Sequence, residues 1–443
     1  VMGACAFDSA ILGGLYHDPE ISPLFTDSAE IRAMMLVEAA LAEAQAEAGL
    51  IPPEAAAAIA RAAHEVQIDP AALAAETAAN GVPVPALVAA FRKAMQAPEH
   101  AQYLHWGATT QDIMDTGLTL RLRRMLEIME TRLNRLLARL ADLAEAHAEQ
   151  PLAARSYGQA ATPTSFGAVV AGWGGPLLRH RDRLAEMRPR LLAVSLGGAS
   201  GNLSVMQGKG PELRARLARR LGLHDPGANW HTSRDRVVEL AAWTTALSAS
   251  IAKIGEDLIL LTQTGISELR LGGTGGSSTM PQKQNPVAPS VLVALARFTV
   301  ALNAAVQGAA LHRQQRDGAA WFTEWLSLPQ ICLACARSLA IAGDTVAGLT
   351  PDPARMAAGL EGDGLGLIHA EALSFALAAH MPRPEAQAAV KALCAEARQS
   401  ATPLPRLAAE RWPDLGLDHT LTPQAQLGTA PEEARAFARA ARG

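Results

Sequence analysis

DTGLTLRLRRMLEIMETRLNRLLARLADLAEAH, residues 115–147, holds no proline and a single glycine, Gly117. Its apolar residues Leu118, Leu122, Met125, Met129, Leu133, Leu136, Leu140 and Leu143 recur three and four apart. That spacing lines one face of an α-helix, so the stretch reads as one long amphipathic helix spanning roughly 50 Å. Outward from it, residues 163–194, 232–269, 286–315 and 321–349 read the same way. Pro176 and Pro189 are expected to kink or end the first of these. Thr232 followed by Asp235 suits an N-cap for the second. Five long helices in sequence predict an all-α fold, an elongated central bundle flanked by two smaller helical domains. Shorter helices over 28–48 and 53–66, broken at 49–52 and 80–85, precede the bundle, and 351–443 is richer in proline. The expected division is 1–104, 105–350 and 351–443.

Composition agrees with close-packed helices. Of 443 residues 49% are hydrophobic but only 4% aromatic, and alanine and leucine supply much of the apolar share. A net charge of −4 gives no basic face for nucleic acid, so an anionic substrate has to meet local cations. The four cysteines, Cys5, Cys332, Cys335 and Cys394, are too few and scattered for a disulfide framework. Cys332 and Cys335 lie in an apolar helical run with no second ligand pair, which reads as core packing rather than a metal site. The first sixteen residues lack a basic start and a small-residue cleavage pattern, so no signal peptide is expected. No uncharged apolar run approaches membrane-span length, and the expectation is a soluble, cytoplasmic protein without membrane contact.

The chemistry concentrates in GGTGGSSTMPQKQNP, residues 272–286. Four glycines free the backbone to turn N–H groups on an anion, while Ser277, Lys283 and Asn285 add a proton-transfer group, a cation and an amide. HWGATTQD at 105–112 and RSYGQAATPTSF at 155–166 lie at opposite ends of the long helix. If that helix is straight, one copy cannot bring both to one substrate, which predicts an obligate homo-oligomer with shared sites.

The string Gly-Ser-Ser-x-Met-Pro-x-Lys-x-Asn-Pro, from Gly276 to Pro286, resembles the signature loop of the fumarase/aspartase superfamily of lyases in eight fixed positions. The resemblance implies that Ser277 is the general base, that Lys283 and Asn285 hold the substrate carboxylate, and that the assembly is a tetramer with composite sites. His105 to Asp112 resembles the superfamily's first motif region. There Thr109 and Thr110 either grip a substrate carboxylate at a helix mouth or only cap the helix. His105 is a substrate contact or a hydrogen-bonded structural histidine. Arg155 to Phe166 resembles the second region, with one departure: the acid-base histidine of the family is replaced by Tyr157, a phenolic donor or only a pocket wall. Arg155, Gln159 and Arg316 are candidate substrate contacts. LGGASGN (196–202) and NWHTSRDRVVE (229–239) also resemble family segments, with Arg234, Asp235 and Arg236 suited to an ion-pair network at a helix start.

Within the superfamily, WHTSRDRVVE (230–239) and WFTEWLSLP (321–329) look like the carboxymuconate cycloisomerases. Adenylosuccinate lyases carry a phosphate-reading serine and arginine where this chain has Trp321 and Trp325, and a His-Asp pair at Asn80-Gly81. The resemblance therefore implies ring closure of a small polycarboxylate, with no cofactor and no metal. An adenylosuccinate- or argininosuccinate-type lyase and a non-catalytic member of the superfamily stay open as alternatives.

Overall fold

The computed structural model describes residues 5–443 apart from Thr274, Ser277 and Ser278. Its N-terminal part carries α1 (Asp27–Glu47), α2 (Pro53–Glu65), α3 (Ala74–Asn80) and α4 (Val84–Met95). The long α5 (Thr110–Ala146) follows, then a hairpin of β1 (Pro151–Ser156) and β2 (Gln159–Ser165). Next come α6 (Phe166–Leu191), α7 (Gly210–Leu221), α8 (Asp235–Leu261), the short strand β3 (Leu269–Arg270), α9 (Val287–Ala309) and α10 (Gly318–Ala347). The two-residue strand β4 (Thr350–Pro351) pairs with β3, and α11 (Pro353–Glu361), α12 (Ala370–Ala378), α13 (Arg383–Ser400), α14 (Leu404–Arg411) and α15 (Ala430–Arg442) complete the chain. The fold is all-α, with two-stranded pairings as its sheets among the described residues.

Helix starts differ from expectation for local reasons. α5 begins at Thr110 rather than Asp115, because the Asp112 carboxylate accepts the Thr109 N–H at 3.0 Å, one half of a capping box. α8 begins at Asp235, with Arg234 in the cap position: its carbonyl accepts from Val237 and Val238, so Thr232 is not the cap. α6 runs through both Pro176 and Pro189 to Leu191, so neither proline ends it. The buried Trp173, Leu177, Leu184 and Met187 supply packing that outweighs the lost backbone bonds.

The chain forms two compact units. The first takes residues through Thr131, His180–Ser248 and Leu295–Ser338; the second takes Arg132–Arg179, Ala249–Ala294 and Leu339–Gly443. Each of α5, α6, α8, α9 and α10 contributes to both, so this division cuts across the sequential one at 104 and 350.

In the first unit α1 packs along α2 as a helical hairpin, turned at Gly49 with φ +68°. The α1 stripe of Ile31, Met34, Met35 and Leu41 is buried, as are Ile113, Leu122, Met125 and Met129 of α5. In the second unit Leu133, Leu136, Leu137 and Leu140 continue the buried face of α5. Leu373, Leu377, Val390, Leu393 and Leu404 form a separate cluster among α12, α13 and α14. Gly167 marks a close crossing, since a Cβ there would lie 2.4 Å from the Ala144 carbonyl oxygen and 2.7 Å from Ala148 Cα. Backbone cannot retract as a side chain can. Gly167→Ala is expected to cost about 1–3 kcal/mol, read as a lowered denaturant midpoint at unchanged slope.

Admitting an isolated charge or two, α8, α9 and α10 are each long and apolar enough to cross a membrane, which corrects the expectation drawn from uncharged runs. More than half of the most apolar window is buried inside the structure for α8 and α10, and 39% for α9. Helices that bury residues on several sides are apolar all round.

Candidate active site

In the first unit the N-terminus of α5 organises two loops through one carboxylate. Asp112, 1% exposed, accepts from the Gly197 and Gly198 N–H groups at 2.7 and 2.9 Å and from the Thr109 N–H, and its Oδ1 is 2.7 Å from His231 Nε2. A Cβ on Gly197 would lie 2.9 Å from the Asn229 side chain and 3.0 Å from His231 Cε1, so the turn fits only glycine. One turn on, Thr116 Oγ1 donates to the Ser195 carbonyl and accepts the Ser195 N–H. Thr109 and Thr110 thus sit, half-buried, at a helix mouth held rigid from below.

Gln111 extends the network: its amide donates to the His231 carbonyl at 2.8 Å, and its Oε1 accepts from Arg316 Nε at 3.1 Å. The exposed Arg316 is thereby kept beside the same helix mouth. His231 is buried against Asp112, which makes it a brace of the site. Arg234 is buried as well, in an ion-pair triad with Asp115 at 2.7 Å and with Glu324. Burial opposes the Arg234 charge, but the two carboxylates outweigh it and hold its pKa above the usual range. Burial likewise raises Glu324. The expected network at the start of α8 therefore exists, with partners on α5 and α10 in place of Asp235.

His105 has φ +62°, a left-handed conformation costly for a residue with a side chain, and Gly107 follows at +67°. Helix α1 secures this loop from two positions: Glu38 Oε1 lies 2.6 Å from His105 Nδ1, and Gln45 donates to the Trp106 carbonyl at 2.6 Å. Burial disfavours the imidazolium, yet the adjacent Glu38 carboxylate prevails and raises the His105 pKa.

On α10, Trp321 and Trp325 pack edge-on at 4.7 Å, and Phe322 lies 4.9 Å from Trp325. Gly81 faces the same group: a Cβ there would be 3.2 Å from Phe322 Cζ. The Asn80-Gly81 corner and the tryptophans, distant in sequence, therefore adjoin. A cavity of about 560 Å³ opens here, lined among others by Phe25, Thr77, Pro83, Met114 and Leu118.

In the second unit Arg155 makes a bidentate pair with Glu268, at 2.8 and 2.6 Å, and that carboxylate is 1% exposed. The hydrogen bonds to Glu268 raise the Arg155 pKa despite burial. Arg155 is thus engaged within its own unit and anchors the hairpin. Tyr157 (φ +53°) and Gly158 (φ +75°) form the turn between β1 and β2, with the tyrosine ring fully exposed and Gln159 exposed beside it. Two successive left-handed residues match the twist of a two-residue hairpin.

The glycine loop is closed at its neck by two backbone bonds, Gly275 N–H to the Asn285 carbonyl at 3.0 Å and Asn285 N–H to the Gly275 carbonyl at 2.8 Å. Lys283 is exposed on this loop, its N–H bonded to the Met280 carbonyl, and Asn285 is half-buried. Ser277, the expected base, lies outside the described residues.

The first unit gathers His105, Thr109, Thr110 and Arg316; the second holds Arg155, Tyr157, Gln159, Lys283 and Asn285. Reasoning from sequence missed Glu38, Gln45, Glu268 and Glu324. A signal existed for two of them, since Glu38 and Gln45 share the apolar face of Met34 and Leu41 at helical spacing, where a polar residue needs a partner. Glu268 and Glu324 meet arginines far along the chain, which no local pattern announces.

Residues 16–300 match a protein family described as Lyase. The chain is 41% identical to a 3-carboxy-cis,cis-muconate cycloisomerase of Pseudomonas aeruginosa, covering 92% of this chain and 91% of that one. It is 39% identical to the 3-carboxy-cis,cis-muconate cycloisomerase of Pseudomonas putida, over 86% and 91% of the two chains. The crystal structure of the 3-carboxy-cis,cis-muconate lactonizing enzyme from Pseudomonas putida superposes with a TM-score of 0.91 at 36% identity, covering 98% of this chain and 99% of that one.

Proposed function

The chain belongs to the fumarase/aspartase superfamily of lyases, and from that premise we propose that it is a cycloisomerase that lactonises 3-carboxy-cis,cis-muconate. One substrate carboxylate adds through oxygen to a carbon of a double bond. The displaced electron pair moves to the neighbouring carbon and into its carboxylate, giving an aci-carboxylate that takes up a proton at carbon. Ser277 delivers that proton, and in reverse removes it. Lys283 and Asn285 hold the aci-carboxylate, where positive potential placed in advance lowers the barrier. His105, Thr109, Thr110, Gln159 and Arg316 bind the remaining carboxylates, and Arg155 positions the hairpin. Oxidation states do not change, so the reaction calls on no redox cofactor. Copies of the chain form a homotetramer in the cytoplasm, each site drawing residues from more than one copy, with neither nucleic acid nor membrane as partner.

The observation that carries the substrate assignment, beside the relatives, is the aromatic corner of Gly81, Trp321, Phe322 and Trp325. Indoles offer no clamp for a nucleotide phosphate, whereas a polycarboxylate without a phosphate needs none. Purified protein should bleach the conjugated diene of 3-carboxy-cis,cis-muconate without added cofactor and leave adenylosuccinate unchanged. Turnover of adenylosuccinate alone would replace this reading with the lyase.

The same chemistry accounts for Tyr157. Amine and alkoxide leaving groups need a general acid, but in the reverse of lactonisation a carboxylate leaves, stable without a proton near neutral pH. Tyr157→Phe is accordingly expected to keep kcat within about threefold of the parent, measured at saturating muconate. A loss of two orders of magnitude would make the phenol the acid.

A further inference from the structure

The strained loop at 105–107 is held by a helix that reaches it with two buried polar side chains. Glu38 is 1% exposed, its Oε1 is 2.6 Å from His105 Nδ1, and its Oε2 has no hydrogen-bond partner among the described residues. A carboxylate buried in an apolar stripe with one oxygen unpartnered is costly, and it persists where a neighbouring cation repays it. The His105 side chain is one-fifth exposed. With Nδ1 committed to Glu38, what His105 offers a ligand it offers through Nε2. The other charged groups acting on this ring are Asp112 on α5, which favours its protonation, and Arg92 on α4, which opposes it while donating to the Leu104 carbonyl at 2.9 Å. His105 keeps a left-handed backbone, φ +62°, while its ring meets α1 at Glu38.

We propose that Glu38 is a positioning residue: it orients His105 and holds it as the imidazolium, so that Nε2–H donates to a carboxylate of the substrate. This rests on the polycarboxylate reading above. It predicts a specific pH signature. The imidazolium persists to higher pH with Glu38 than without it, because burial alone drives the proton off.

The test compares wild type, Glu38→Gln, Glu38→Asp, His105→Gln and the Glu38→Gln/His105→Gln pair, measuring kcat/KM for the muconate across roughly pH 5 to 9. In Glu38→Gln the alkaline limb moves to lower pH by about one unit or more. Near pH 8 KM rises about tenfold with kcat little changed, and at the acid end the variant approaches wild type. Glu38→Asp, which keeps the charge, recovers part of the limb. His105→Gln lacks it, and the double variant matches His105→Gln. A purely structural role instead lowers kcat/KM equally at every pH, and that result, or additive losses in the double variant, overturns the proposal. Proton NMR of carbon-labelled histidine, with the His105 signal identified by its loss in His105→Gln, reads the same change without turnover. If wild type ignores the muconate, the proposed function fails; the His105 titration still decides the pair, and an unchanged titration in Glu38→Gln refutes it.

Discussion

Ser277→Ala lowers kcat by roughly 10²–10⁴-fold and leaves the thermal unfolding midpoint where it was. The expectation follows from the chemistry of the loop. A proton must reach a carbon whose electron pair is spread into a carboxylate, and in the function proposed above Ser277 carries that proton while Lys283 and Asn285 hold the charge. An interaction made only in the transition state reduces kcat and kcat/KM together, so both should fall by the same factor. Ser278→Ala is the control within the same pair of hydroxyls and should lose far less. Equal losses in the two variants would assign the effect to the loop as a whole.

Arg234→Met destabilises the fold by about 3–5 kcal/mol, because it leaves Asp115 and Glu324 buried and facing each other without their common cation. Both carboxylates are 2% exposed, so water cannot take over. Methionine keeps most of the volume and the apolar stem, which confines the loss to charge. The triple change Arg234→Met, Asp115→Asn, Glu324→Gln should recover most of it, since no uncompensated charge remains. Denaturant midpoints of the three proteins measure this; a loss below about 1 kcal/mol in the single variant would mean that the triad contributes little.

Much of the architecture was legible because long apolar periodicity is a local signal. The stripe from Leu118 to Leu143 fixes one face of α5 whatever lies around it. Boundaries were less legible, since they depend on side chains reaching back: α5 starts early because Asp112 caps it, and α8 starts late because Arg234 takes its cap. The motif residues were readable as types, not as commitments. Arg155 reads as a free cation until Glu268, over a hundred residues on, is seen paired with it, and nothing local in NWHTSRDRVVE shows that His231 is committed to Asp112. Glu38 and Gln45 were the recoverable misses, polar residues at core positions of an apolar helix.

The proposed reaction adds a carboxylate and a proton across a double bond with the chain's own residues alone. Its most direct measurement is turnover of 3-carboxy-cis,cis-muconate in D₂O by the purified, chelator-dialysed protein, with the product read by NMR and mass. A lactone carrying a single carbon-bound deuterium is expected, formed by wild type and not by Ser277→Ala. Recovery of unlabelled muconate, or equal labelling by both proteins, would contradict it.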